Sequence, residues 1–128
     1  MASRTDTVPT VLVAEDDVPI LKLVTRILRD SGYHTIPARD GQEAWSIFQQ
    51  ADGSIDLVLA DVMMPHMTGP ELGAQIAAQR PDLPVILMSG FSGEDLTSRG
   101  HVLSHGHLLT EPFTPGDLLD LVRRLLPT

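Results

Sequence analysis

The sequence predicts an α/β domain built on a doubly wound, five-stranded parallel sheet. Short apolar segments rich in Val, Ile and Leu alternate five times with longer segments of helical period. Such apolar segments are typical of strands buried on both faces, and their alternation with helices requires crossovers that cover both sides of the sheet. The predicted strands are residues 10–14, 33–37, 55–60, 84–88 and 107–110.

The helices are predicted from the spacing of apolar residues and from residues suited to cap helix ends. Apolar residues recur at spacings of three and four over residues 18–30, and Gly32 follows as a C-terminal cap. A second helix begins after a cap at Asp40, with Glu43 three residues later as in a capping box. A third is expected over about residues 70–79.

The C-terminal part of the chain has one clear helix and one irregular region. Thr114 as cap and Pro115 at the first helical position begin the last helix. Glycines interrupt residues 92–106, so we expect one short helix near residues 94–98 and then a loop.

Length and composition favour one compact domain. The chain has 128 residues, of which 42% are hydrophobic, and we expect a flexible tail over residues 1–9 and a single domain over residues 10–127. Without cysteine it has no disulfides, thiol nucleophiles or cysteine zinc sites. A net charge of −8 and a single lysine, Lys22, argue against nucleic-acid and membrane partners. Since no secretory or membrane-spanning segment is evident, we expect a soluble cytoplasmic protein.

Polar side chains follow three of the predicted strands. Glu15, Asp16 and Asp17 follow the first strand, Asp61 follows the third and Ser89 follows the fourth. Because ligands of doubly wound sheets bind at the carboxyl ends of the strands, we expect these side chains to converge in a shallow acidic pocket. Clustered carboxylates repel each other unless a cation joins them, and Mg²⁺ takes oxygen ligands of this kind.

Simpler structural roles compete with this interpretation. Either Asp16 or Asp17 fits an N-cap of the first helix, and Ser89 before Gly90 also fits an ordinary turn. Capping does not explain Asp61, because Val-Met-Met-Pro follows it and no helix begins at once.

A carboxylate beside a metal has a distinctive use when thiol, Ser-His pair and P-loop are all missing. It can attack a phosphoryl donor and become an acyl phosphate. Asp61 is the candidate nucleophile, and the Ser89 hydroxyl is placed to hold a phosphoryl oxygen.

Four stretches of the sequence together resemble a known family. In order and spacing they resemble the CheY-like receiver domains of two-component response regulators, in a style closest to the receivers of hybrid histidine kinases; the stretches are VLVAEDD, LVLADVMMPHMTG, VILMSG and LLTEPFTPGDLL. The match covers about residues 10–126, and Asp-x-Met-Met-Pro-x-Met-x-Gly is its most specific part. The resemblance implies a flavodoxin-like (βα)5 fold with strand order 2-1-3-4-5.

The resemblance also implies roles for individual residues. Asp61 would be the phosphoacceptor, and Ser89 would bind a phosphoryl oxygen and shift on activation. Mg²⁺, or Mn²⁺, would be held by Asp16, Asp61 and the backbone carbonyl of Met63, with Glu15 acting mainly through metal-bound water.

Further implications concern partners and the acceptor loop. Pro65 and Gly69 would shape the loop after the acceptor, with Gly69 permitting a turn closed to other residues. The donor would be a phosphohistidine on a sensor histidine kinase or a histidine phosphotransfer protein. The domain would catalyse only its own phosphorylation and dephosphorylation, its downstream partner is unknown, and the family often forms homodimers.

The predicted switch residues are Ser89, Leu108 and Glu111. Leu108 and Glu111 depart from the family pattern. Glu111 stands before Pro112, where the family has a lysine that pairs with the phosphoryl group. At about 4 Å and an effective dielectric constant of about 20, like charges repel by about 4 kcal/mol. We expect Glu111 to turn to solvent, to be protonated or to join the metal shell. Leu108 occupies the position of a switching Tyr or Phe.

Two functions remain open. The first is a receiver with Mg²⁺-dependent phosphoryl acceptance on Asp61 and atypical downstream switching. The second is a phosphorylation-independent interaction module. A hydrolase is disfavoured because position 63 is Met rather than a second acid, and no Gly-x-Gly-x-x-Gly turn supports dinucleotide binding.

Overall fold

Five parallel strands form a single sheet in the order β2-β1-β3-β4-β5. The structure, a computed structural model, describes residues 8–51, 53–90 and 106–126. The strands are β1 (Thr10–Ala14), β2 (His34–Ala38), β3 (Leu57–Asp61), β4 (Val85–Ser89) and β5 (His107–Thr110). Both the predicted fold class and the predicted strand order are confirmed.

Four helices are described, and each lies close to its predicted range. They are α1 (Val18–Asp30), α2 (Gly41–Gln50), α3 (Gly69–Gln79) and α4 (Pro115–Leu125). No helix in the described part of the chain is long and apolar enough to cross a membrane. The expected helix at residues 94–98 and most of the expected N-terminal tail lie outside the described residues.

The sheet is covered on both faces by apolar helix surfaces. Alternate residues of β1 point to opposite sides, so that Leu12 joins one core cluster with α2 and α3, while Val13 joins a second cluster with α1 and α4. β3 and β4 alternate in the same way. This arrangement explains why the central strands read as continuous apolar segments.

Local hydrogen bonds fix both ends of α1. The Asp17 carboxylate accepts from the N–H of Ile20 at 3.2 Å, so Asp17 is the N-cap. At the other end, Gly32 has φ +95°, and the N–H groups of Gly32 and Tyr33 donate to the carbonyls of Arg29 and Leu28. This Schellman arrangement confirms the predicted role of Gly32.

Three strands lie one or two residues further along the chain than predicted. β3 includes Asp61 and β4 includes Ser89, because the parallel ladder continues to these residues and pairs Asp61 with Met88 and Ser89 with Thr110. The two polar residues are therefore the last members of rigid strands rather than the first residues of loops.

Candidate functional site

Three carboxylates meet at the carboxyl edge of the sheet. Glu15, Asp16 and Asp61 each offer a carboxylate oxygen, and these oxygens lie within 4.8 Å of one another. The neighbouring strands β1 and β3 bring them together through the pairing of Ala14 with Ala60. The convergence expected from strand-end geometry is thus observed for these three residues.

Glu15 is the buried member of this cluster. Its side chain is only 1% exposed, and its backbone N–H donates to the carbonyl of Ala38 at 3.0 Å, which extends the pairing of β1 with β2. Burial, reinforced by a hydrogen bond with Asp61, raises the pKa of Glu15 to about 9. Burial also raises the pKa of Asp61. With a pKa of about 9, Glu15 is expected to be protonated at neutral pH without metal, and this proton relieves its repulsion from Asp61.

The shared proton bears directly on the fit to a metal. A divalent cation would relieve the same repulsion that the proton relieves, and carboxylate oxygens are the donors that Mg²⁺ and Mn²⁺ prefer. Glu15, Asp16 and Asp61 therefore fit such an ion, whose binding would release the proton of Glu15.

The two acidic residues after Glu15 have different positions. Asp17 is the N-cap of α1, and its backbone N–H donates to the Glu15 carboxylate at 3.2 Å. Asp16 is exposed and belongs to the carboxylate cluster. The alternative left open by the sequence, a cap at Asp16 or at Asp17, is therefore decided for Asp17.

The backbone after Asp61 packs closely around the acceptor candidate. The N–H of Met63 approaches Asp61 Oδ1 at 3.4 Å, while the Met63 side chain is largely exposed. A Cβ on Gly69 would lie 2.4 Å from the Asp61 carbonyl oxygen, which no side chain tolerates. The expected reason for Gly69, a special turn, is wrong: Gly69 begins α3, and close approach requires it. The positive φ in this loop, +69°, belongs to His66.

Ser89 and Glu111 border the same edge from β4 and the end of β5. Ser89 is buried, and its carbonyl accepts the N–H of Glu111 at 2.6 Å. Glu111 is partly buried, and burial, followed by the negative charges of Asp61 and Asp17, raises its pKa. Of the three expected outcomes for Glu111, partial burial argues against full exposure to solvent, and the pKa shift is in the direction of protonation.

Leu108 belongs to the apolar packing of the sheet rather than to the carboxylate cluster. It is paired with Leu87 across β4 and β5, and its partly buried side chain packs against the core cluster of α2 and α3. An aliphatic side chain at this position has neither the ring nor the hydroxyl of a Tyr switch.

A contact between the acceptor loop and α2 was not predicted. His66 Nδ1 lies 3.2 Å from Oδ2 of Asp40, the N-cap of α2. Hydrogen bonds from the backbone of Glu43 and from His66 lower the pKa of Asp40. The two residues are 26 positions apart, so no local spacing pattern could have indicated this contact.

With this geometry in view, the family is evident. The family model described as the response regulator receiver domain matches residues 11–123. The chain belongs to this family. Response regulator RR06 of Streptococcus pneumoniae is 37% identical over 115 residues, which cover 90% of this chain and 50% of that protein. The chain spans about half the length of the curated relatives it matches first.

Solved receiver structures share the fold. The receiver domain of the hybrid histidine kinase CckA has a TM-score of 0.78 and 29% identity, covering 92% of this chain and 99% of that one. TrrA of Thermotoga maritima, solved in complex with Mg(2+)-BeF, has a TM-score of 0.79 and 29% identity with the same coverage. The chain is therefore a receiver domain of two-component signalling.

Proposed function

We propose that this receiver accepts a phosphoryl group on Asp61 in a Mg²⁺- or Mn²⁺-dependent reaction and couples it to an atypical downstream response. The observation that carries the proposal is the cluster of Glu15, Asp16 and Asp61, whose oxygens lie within 4.8 Å of one another. The similarity to TrrA, whose structure contains Mg(2+)-BeF, supports it.

The proposal gives the carboxylates distinct roles. A bound cation would supply charge neutralisation for the oxygens of the transferring phosphoryl group. Asp61, at the carboxyl end of β3, would be the nucleophile. Asp16, Asp61 and, as the resemblance implies, the carbonyl of Met63 would hold the cation, with Glu15 acting mainly through metal-bound water. The Ser89 side chain is proposed to bind one phosphoryl oxygen.

The proposed step transfers the phosphoryl group from nitrogen to oxygen. An Asp61 carboxylate oxygen forms a bond to phosphorus, while the bond between phosphorus and the donor imidazole nitrogen breaks and the imidazole takes up a proton. Water later attacks the acyl phosphate, releasing inorganic phosphate and restoring the carboxylate. No other substrate is required, so the domain acts on itself alone.

The proposed donor is a phosphohistidine of a sensor histidine kinase or a histidine phosphotransfer protein, and the proposed setting is the cytoplasm. Similarity to the receiver of the hybrid histidine kinase CckA supports a donor of this class. We also propose that residues 10–127 form the folding unit and that its downstream partner is a protein, with neither nucleic acid nor membrane involved.

The proposal is tested by phosphorylation with acetyl phosphate and Mg²⁺, followed by intact-protein mass spectrometry. Wild type should gain one phosphoryl group, and Asp61→Asn should gain none. Asp120→Asn, which changes an exposed carboxylate on α4, should be labelled like wild type. A wild-type mass that stays unchanged with both acetyl phosphate and a cognate kinase would contradict the proposal.

A second candidate function is favoured by Glu111. An ionised Glu111 would repel a phosphoryl dianion on Asp61, and a protonated Glu111 would still lack the positive charge of the family lysine, so the domain would instead bind a partner independently of phosphorylation. Labelling of wild type and Glu111→Lys separates the two functions. If Glu111→Lys is labelled and wild type is not, the domain is an inactivated receiver. If both are labelled equally but the phosphoryl lifetime differs, Glu111 acts on the response rather than on phosphorylation.

A further inference from the structure

A basic cleft lies between α1 and β2, and none of Glu15, Asp16 and Asp61 lines it. Its volume is about 510 Å³, and the basic residues that line it are Lys22, Arg26, Arg29 and Arg39. These are four of the nine Lys and Arg residues in a chain of net charge −8, whereas only two acidic residues line the cleft. Three of the four recur along α1 at spacings of four and three, which places them on one helix face.

The cationic groups of this cleft are available for a partner. Within the described residues, the Lys22 ammonium and the Arg39 guanidinium have no hydrogen-bond or ion-pair partner. Arg29 donates from Nε to Thr35 Oγ1 at 3.0 Å, which orients its guanidinium and leaves its terminal nitrogens free. Arg26 makes one 3.8 Å contact with Asp30, and both side chains are more than two-thirds exposed.

The adjacent strand edge cannot recruit a partner strand well. β2 is the outer strand of the sheet. The bonds from His34 N–H to Pro9 and from Glu15 N–H to Ala38 turn residues 34 and 38 toward β1, so that residues 35 and 37 face outward. Residue 37 is a proline, which lacks an N–H and blocks strand addition. A partner must therefore be held by side chains.

The polar groups of the cleft are also unsuited to a small ligand. Small-molecule sites present buried, fixed polar groups, and the buried polar residue of this lining is Thr25. Its hydroxyl is already committed to the carbonyls of Leu21 and Lys22, at 2.9 and 3.0 Å. What the cleft offers instead is a set of long, exposed cations above an apolar floor that includes Leu21 and Pro37.

We propose that this cleft is a docking surface for an acidic polypeptide segment, held by Asp and Glu side chains against Lys22, Arg26, Arg29 and Arg39. Exposed charges of this kind act mainly on association rate and orientation. A single-stranded nucleic acid is disfavoured because the described lining of the cleft has no aromatic side chain on which a base could stack. The proposal is independent of Asp61 phosphorylation.

The test measures fluorescence anisotropy of a fluorescein-labelled oligoglutamate peptide against the full chain at low salt. Wild type should bind, and Lys22→Gln/Arg39→Gln, which removes two charges, should bind at least about tenfold more weakly. The matched control, Arg123→Gln/Arg124→Gln, removes two exposed charges from α4 and should change the affinity by less than about twofold. Thermal unfolding and acetyl phosphate labelling of both variants should match wild type.

Three results would overturn the proposal. One is equal loss of binding in the cleft variant and the α4 control, which would show that net charge alone matters. Another is displacement of the peptide by inorganic phosphate at equal charge concentration, which would indicate a small-anion site. The third is tighter, cleft-dependent binding of a labelled single-stranded oligonucleotide than of the peptide.

Discussion

The ends of β1 and β3 differ sharply from the end of β5, although all three lie at the carboxyl edge of one sheet. At β1 and β3 the carboxylates of Glu15, Asp16 and Asp61 are gathered within 4.8 Å, and α3 packs against the acceptor backbone. At the end of β5, Leu108 packs into the core and Glu111 adds a partly buried acidic side chain with a raised pKa. The comparison teaches that the residues proposed to hold a cation and the residues proposed to respond to phosphate lie on different strand ends.

The largest effect is expected from breaking the packing on the acceptor side. Gly69→Ala would place a Cβ 2.4 Å from the Asp61 carbonyl oxygen, so the start of α3 or the end of β3 must move. We expect the free energy of unfolding to fall by about 1–3 kcal/mol, which chemical denaturation would measure. Labelling of Asp61 by acetyl phosphate should also slow.

Gly116→Ala is the matched control for this substitution. A Cβ at Gly116 meets only the Thr114 hydroxyl at 3.6 Å, an ordinary contact inside α4. Alanine is the better helix former, so stability should rise by up to about 1 kcal/mol. If both variants lose stability alike, close approach is not the reason for glycine at position 69.

A pH series examines the shared proton of the acceptor side. Folded Glu15 keeps its proton up to about pH 9, whereas the unfolded chain releases it near the ordinary pKa of 4.5. The unfolded state therefore binds fewer protons between these values, and the free energy of unfolding without metal should fall as pH rises through this window. Stabilisation by Mg²⁺ should grow over the same window, because the cation replaces the proton.

Melting temperatures with and without Mg²⁺, at about pH 6 and about pH 8.5, would measure both trends. In Glu15→Gln, both the stability without metal and the stabilisation by Mg²⁺ should depend less on pH, while Asp120→Asn should follow wild type. Because both comparisons are between variants, the five histidines contribute equally and cancel. A Glu15→Gln protein with the wild-type slope would refute the assignment of the proton to Glu15.

The smallest effect is expected from substituting Glu111, at the end of β5, and it concerns Mg²⁺ affinity. Burial and the charge of Asp61 raise the pKa of Glu111, so Glu111 lies within the electrostatic reach of the cluster. Replacing it with Lys at about pH 8.5 should weaken Mg²⁺ affinity on the order of tenfold, or about 1.4 kcal/mol, and Glu111→Gln should give an intermediate loss. Titration calorimetry would measure this. An unchanged Mg²⁺ affinity in Glu111→Lys would show that Glu111 does not interact electrostatically with the metal site.

The sequence was sufficient for the fold and for the carboxylate cluster. Apolar segments and caps predicted β1, β5 and α1 with their observed bounds, because period and capping chemistry are local properties. Strand-end geometry brought Glu15, Asp16 and Asp61 together, because parallel neighbouring strands end at the same edge.

Properties set by three-dimensional contact could not be predicted. The shift of β3 to include Asp61 depends on pairing with β4, and the choice of Asp17 as cap depends on backbone direction after β1. The proton on Glu15 depends on burial that the chain acquires only on folding. The contact of His66 with Asp40 joins two loops distant in sequence.

The single tryptophan gives the molecule a built-in optical reporter. Trp45 stacks on Phe48 with ring centroids 5.7 Å apart, and it packs against the cluster that contains Met64 of the loop after Asp61. Because no other tryptophan contributes, the emission of the unlabelled protein reports on this one side of the sheet. Any rearrangement that spreads from the acceptor loop to α2 can therefore be followed in real time without a dye.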